Sequence, residues 1–139
     1  MNTFKYGEIE IGDKSKFSVR ITDKTVKSFL DITGDVNPLH TDAEFARSKG
    51  FKDKVVYGML TASFLSTLAG VYIPGKNSLI HSTDIKFLRP VFIGDELTIE
   101  GIVAEKNDLF KLINVKIQVT NQDGEKVLKG LMKIGVTDE

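Results

Sequence analysis

The chain has 139 residues, 41% hydrophobic and 27% charged, the proportions of an ordinary globular domain. Its 19 basic and 19 acidic side chains give a formal net charge of zero, which argues against nucleic-acid or anionic-membrane binding because both need a basic surplus. Cysteine is absent, which excludes a disulfide framework, a thiolate nucleophile and a Cys-based zinc site. One domain spanning residues 1–139 is expected, long enough to bury a substantial core without staples. Met1 to Glu10 lacks the apolar core of a signal peptide. Val55 to Ile73 is the most apolar stretch, but Gly, Ser, Thr and Tyr interrupt it, and it falls short of the run of about 20 apolar residues that a membrane span needs. A cytoplasmic protein is the expectation.

Phe17 to Ile21 alternates apolar and polar side chains and predicts a short strand. Thr22 and Asp23 then supply capping chemistry for a helix with Val26, Phe29, Leu30 and Ile32 on an apolar stripe, and Gly34 ends it. The segment Asp35-Val36-Asn37-Pro38-Leu39-His40 is dense in turn formers. Pro38 lacks a backbone donor and biases Asn37 away from helical dihedrals, so a fixed irregular loop is expected. Thr41-Asp42-Ala43-Glu44 is a capping-box pattern opening a second short helix that Gly50 closes.

Gly58 to Tyr72 carries no charge, and its apolar residues lie on nearly all sides of a helix, which places that helix in the middle of a fold. Pro74-Gly75 stops it. From Ser78 onward the period becomes two, with strands expected at about Ser78–Leu88, Glu96–Glu105, Phe110–Asn121 and Glu125–Val136. Asn107-Asp108 and Asp123-Gly124 are the turn signals of an antiparallel meander. A long apolar helix followed by such a meander suggests an α+β hot-dog fold, a twisted sheet wrapped around the helix. An edge strand and an open end remain, for which a homodimer is the expected remedy.

The chain's two histidines are His40 and His81. His40 follows Asp35 by five residues, with Asn37 and Pro38 between them, and a proline-fixed turn can bring both onto one small molecule. Adding water across a double bond conjugated to a carbonyl needs such a pair, a base for the water proton and an acid for the α-carbon. The plainer reading is that Asp35 caps a turn and His40 is a surface or satisfied core residue. Asp42 beside these two makes a poor transition-metal site, since one His and two separated acids are not a ligand set.

The run Phe29-Leu30-Asp31-Ile32-Thr33-Gly34-Asp35-Val36-Asn37-Pro38-Leu39-His40-Thr41-Asp42 resembles the hydratase-2 motif of the MaoC-like family, the (R)-specific enoyl-CoA hydratases. The resemblance continues in Val56-Tyr57-Gly58-Met59-Leu60. It also continues in Phe87-Leu88-Arg89-Pro90-Val91-Phe92-Ile93-Gly94-Asp95, a segment shared more widely among hot-dog enzymes. It implies that Asp35 and His40 hold and activate a water, and that the backbone N–H of Gly58 meets the enolate oxygen that develops on the thioester. The start of a helix suits an anion, and glycine permits close approach, although a plain tight turn into the helix accounts for Gly58 equally well. Tyr57 stands where relatives commonly carry His and is taken as a structural position that can still line the pocket. Asn37, Tyr57, Met59, Leu60 and Ser78 are the candidate substrate-binding residues. Ser78 either donates to the acid–base pair or substrate or simply opens a strand.

The implied activity is (R)-specific hydration of 2-enoyl thioesters, or the reverse dehydration. It calls for no metal or redox cofactor, and coenzyme A or acyl carrier protein serves as the handle on the substrate. Two other functions compete: a hot-dog thioesterase, in which a carboxylate directs water at the carbonyl itself, and a non-catalytic acyl-thioester-binding protein. His81 lines an acyl tunnel or faces solvent, and Arg89 pairs at an interface or meets a phosphate.

Overall fold

In the computed structural model, which describes residues 1–137, the alternating segments pair into one antiparallel sheet of five strands. These are β1 (Lys14–Arg20), β2 (Ser78–Phe87), β3 (Glu96–Asn107), β4 (Leu112–Thr120) and β5 (Lys126–Val136), in spatial order β1-β3-β4-β5-β2. The β3–β4–β5 meander is the one the turn residues predict. β2 pairs with β5 rather than with its sequence neighbour β3, because the connection between them, through Pro90 and Gly94, carries the chain across the end of the sheet.

Period two decides what each face carries. Ile99, Val119, Leu128 and Phe87 stand in one cross-strand row, and Val103, Val115, Met132 and Thr83 in another, all toward the helix. The intervening rows place Lys116, Leu131 and Asp84 side by side on the opposite face. Burial of the inward aliphatics, at roughly 1.5–3 kcal/mol for each large side chain, is the main force holding sheet to helix.

The helices follow their caps. Asp23–Thr33 forms α1, with the Thr22 hydroxyl accepting the Thr25 N–H and Gly34 taking the left-handed conformation (φ 68°) that closes it. The loop expected through His40 is shorter than the sequence suggests. Pro38–Thr41 forms a single helical turn, α2, because proline at the first helical position loses no bond and the Asn37 side chain accepts the Leu39 N–H. Ala43–Ser48 forms α3 with Asp42, rather than Thr41, as its cap.

The central helix α4 runs over Gly58–Thr67 and continues as a wider π turn over Leu68–Tyr72. Leu60, Thr61, Leu65, Leu68 and Ala69 are buried beneath it. Leu68 packs closely on the sheet at Gly101, where an added Cβ would lie 2.9 Å from Leu68 Cδ2. The arrangement is an α+β hot-dog, with one departure from expectation: a single sheet does not enclose the helix. Met59, Ser63 and Ser66 form an open stripe on α4, and the apolar residues Leu79, Ile80 and Phe87 of β2 are exposed as well. No helix among the described residues is long and apolar enough to cross a membrane.

Candidate active site

Gly34 turns the chain out of α1, and the next residue is Asp35. Its backbone N–H donates to the Thr33 hydroxyl (3.2 Å), and its Oδ1 accepts the Asn37 N–H (3.1 Å) in a tight side-chain turn. Oδ2 has no such duty. Five residues on, α2 presents His40. The imidazole Nδ1 lies 2.6 Å from the carbonyl oxygen of Val55. A carbonyl only accepts, so Nδ1 carries a proton there, and in the neutral imidazole Nε2 is the nitrogen with the lone pair.

Tyr57 joins the two residues. Its ring packs at a tilt against His40, with centroids 4.2 Å apart, and against Phe29 at 5.0 Å, and its hydroxyl donates to the backbone carbonyl of Asp35 at 2.7 Å. The ring is 2% exposed. Burial, and secondarily the Asp35 charge, push the phenol above its ordinary value, so it stays a hydrogen-bond donor throughout the neutral range.

A cavity of about 310 Å³ opens beside His40. Gly58, Thr61, Phe51, Phe87 and Leu88 line it, so its walls are largely apolar. Gly58 is the first residue of α4, and the preceding Tyr57 makes no side-chain cap. The helix therefore presents uncapped N–H groups at the cavity, backed by the positive end of its dipole. A Cβ at Gly58 would come within 3.0 Å of the Phe87 ring, so glycine lets that ring lie against the helix start.

The structure thus gathers His40 and Gly58 on one cavity and ties Asp35 to them through Tyr57. The other candidates stand apart from its lining. Asn37 caps α2, Met59 is 62% exposed on the open side of α4, Leu60 is in the core, and Ser78 opens β2 against Gly70. Thr61 also lines the cavity; it was hidden in the sequence among the apolar residues of the helix.

The sequence profile of the family described as "MaoC like domain" matches residues 8–125. The chain belongs to the MaoC-like domain family. It is 34% identical over 122 residues to an (R)-specific enoyl-CoA hydratase of Aeromonas caviae, covering 88% of this chain and 91% of that protein. It is also 34% identical to the mitochondrial 3-hydroxyacyl-(acyl-carrier-protein) dehydratase FERN of Solanum lycopersicum, over 88% of this chain and 74% of the relative. Among solved structures, the unliganded R-hydratase PhaJ1 from Pseudomonas aeruginosa superposes with a TM-score of 0.91 at 31% identity, covering 99% of this chain and 88% of that one.

In this MaoC-like chain the Phe87-to-Asp95 segment serves the fold as well as the cavity. Gly94 turns at φ 97°, and the Asp95 carboxylate, buried, accepts from the Phe92 N–H (2.9 Å) and the Gln122 amide (3.0 Å). Arg89, whose role the sequence left open, pairs with Glu125 at 3.2 Å. His81 is exposed at a bulge in β2 and packs over Gly135, where an added Cβ would meet its Nε2 at 2.8 Å. Among the described residues, no group of three or more His, Cys, Asp or Glu could hold a metal ion.

Proposed function

We propose that this MaoC-like protein adds water across the double bond of 2-enoyl thioesters to give (R)-3-hydroxyacyl thioesters, and catalyses the reverse dehydration. The observation that carries the reading is the state of His40. With Nδ1–H committed to the Val55 carbonyl, Nε2 is left as a base beside a cavity that ends at an uncapped helix start.

In the hydration direction the water oxygen bonds to the β-carbon and its proton passes to the Asp35–His40 pair. The electron pair of the double bond moves toward the thioester oxygen, where the Gly58 N–H stabilises the enolate. The pair then returns a proton to the α-carbon. One O–H bond and the π bond of the C=C are broken and one C–O and one C–H bond form, with no net oxidation or reduction, so the reaction asks for no redox cofactor. Asp35 Oδ2, unused by the turn, holds the water, and Tyr57 keeps the Asp35 segment in place against His40. Position and charge complementarity supply the rate enhancement, since the substrate brings its own activated double bond.

The handle on the acyl group is coenzyme A or acyl carrier protein; relatives named for each are similar to this chain. The working unit is a homodimer in the cytoplasm. Support for the dimer comes from the unpaired edge of β2 and from the exposed apolar side chains of Met59, Leu79, Ile80 and Phe87, which a second copy would cover.

Hydration of crotonyl-CoA, followed at its conjugated enoyl-thioester band, tests the reading. Wild type should abolish the band and form the (R)-3-hydroxy product, while Asp35→Asn and His40→Gln should each fall by at least about 100-fold. Release of free thiol with the double bond intact would make the chain a thioesterase instead. No change with crotonyl-CoA, octenoyl-CoA or an enoyl carrier protein would leave a binding protein.

A further inference from the structure

Thr61 is 2% exposed, and its Oγ1 is the buried side-chain polar atom for which no hydrogen-bond partner exists among the described residues. A threonine within a helix ordinarily returns its hydroxyl to the carbonyl four residues back. Here that carbonyl belongs to Tyr57 and already accepts from the N–H groups of Leu60 (3.0 Å) and Thr61 (3.3 Å). A buried orphan hydroxyl in a well-packed helix calls for an explanation, because an isosteric valine would fit the same space without it.

The location supplies one. Thr61 stands one turn after Gly58 on the same face of α4, and helical side chains lean toward the N-terminus, over the preceding turn. Both residues line the cavity that His40 borders, and most of its wall is apolar. His40 is engaged with the proton of the attacking water. Arg89, which also lines the cavity, is paired with Glu125; the other donors are the uncapped N–H groups of the helix start and one hydroxyl, suited to a single oxygen on which negative charge develops.

We infer that Thr61 is a catalytic residue: its hydroxyl donates, beside the Gly58 N–H, to the thioester oxygen as it becomes an enolate. The inference rests on the hydration reading and adds a residue to it. An orphan in the resting protein that gains its acceptor only with the substrate stabilises the transition state without stabilising the fold, so stability and activity move in opposite directions when it is removed.

Thr61→Val and Thr61→Ser, compared with wild type for crotonyl-CoA hydration and thermal unfolding, test this. Removal of an oxyanion donor costs on the order of 10²–10³ in kcat where the donor is essential; with the Gly58 N–H retained, a loss of about 10- to 100-fold is expected. Thr61→Val should show that loss in kcat, with KM within about threefold of wild type, and should melt at or above the wild-type temperature. Thr61→Ser, which keeps the hydroxyl, should stay within about fivefold of wild-type kcat. Unchanged kcat in Thr61→Val, or a loss confined to KM, overturns the inference while hydration stands. A lower melting temperature for Thr61→Val also overturns it, because the hydroxyl would then have a partner in the resting protein. A wild type that is inert toward enoyl thioesters removes the hydration reading itself, and the inference with it.

Discussion

Replacing Tyr57 by Phe isolates one hydrogen bond at the heart of the site. The phenol donates to the Asp35 carbonyl at 2.7 Å, while the ring separately packs at a tilt against His40 and Phe29. Phenylalanine keeps the ring contacts and removes only the donor. A neutral hydrogen bond contributes roughly 0.5–1.5 kcal/mol net, and Asp35 is exposed, so water can serve the released carbonyl and the loss belongs at the lower end. For a domain of this size that lowers the melting temperature by about 2–4 °C. The effect on rate should be larger. Without its tether the Asp35 segment shifts against His40, and a displacement of about 1 Å costs on the order of 10²-fold. Crotonyl-CoA hydration by Tyr57→Phe should therefore show kcat reduced about 10- to 100-fold at nearly unchanged KM. If Tyr57 is a positioning residue acting through Asp35, the same substitution in an Asp35→Asn background should cost little further activity. Wild-type kcat in Tyr57→Phe, or full additivity in the double variant, would refute the tether as a functional element.

Two further outcomes follow from the same structure. Met59→Glu places a charge on the open stripe of α4, where the single chain pays nothing for it because Met59 is 62% exposed; sedimentation should show the proposed homodimer shifting toward monomer, and an unchanged oligomer would place the interface elsewhere. Alkaline stability should be limited by two phenols. Tyr6 is pushed from 10.0 up to about 12 by burial, by its hydrogen bond to Asp108 and by the Asp108 charge, and Tyr57 is also raised. Both favour the protonated form more in the folded than in the unfolded chain. Their contribution is therefore complete below pH 10 and is lost as the pH rises from there toward about 12. Melting temperatures measured from pH 8 upward should fall above pH 10 and fall less steeply in Tyr6→Phe; identical slopes would refute the assignment.

Much of the architecture was legible because its signals are local. Thr22 and Gly34 bracket α1 through bonds to their own neighbours, and the alternation along Ile113, Val115, Ile117 and Val119 assigns one face of β4 to the core without reference to any other element. Asn121 and Gly124 turn the chain between β4 and β5 in the same self-contained way. The motif residues Asp35 and His40 stood out for a related reason, since proline and glycine around them restrict the backbone whatever surrounds it. Where the reading missed, the competing effect was tertiary or subtle. Pro38 signals a break, yet as the first residue of a helical turn it loses no bond, so α2 forms where a loop was expected. The enclosure of α4 was overestimated, since Met59, Ser63 and Ser66 stay exposed along one side of an otherwise apolar helix.

Composition, period and turn chemistry thus determined the fold class and the meander, because these depend on backbone geometry within a few residues, while the motif resemblance marked Asp35 and His40 as the candidate acid–base pair. The pairing of β2 with β5, the tautomer of His40 set by a carbonyl 15 residues away, the Tyr57 bond to Asp35 across 22 residues and the orphaned hydroxyl of Thr61 were decided only by the tertiary structure. Each of these depends on which groups meet when distant segments pack, and on what has already claimed their hydrogen bonds.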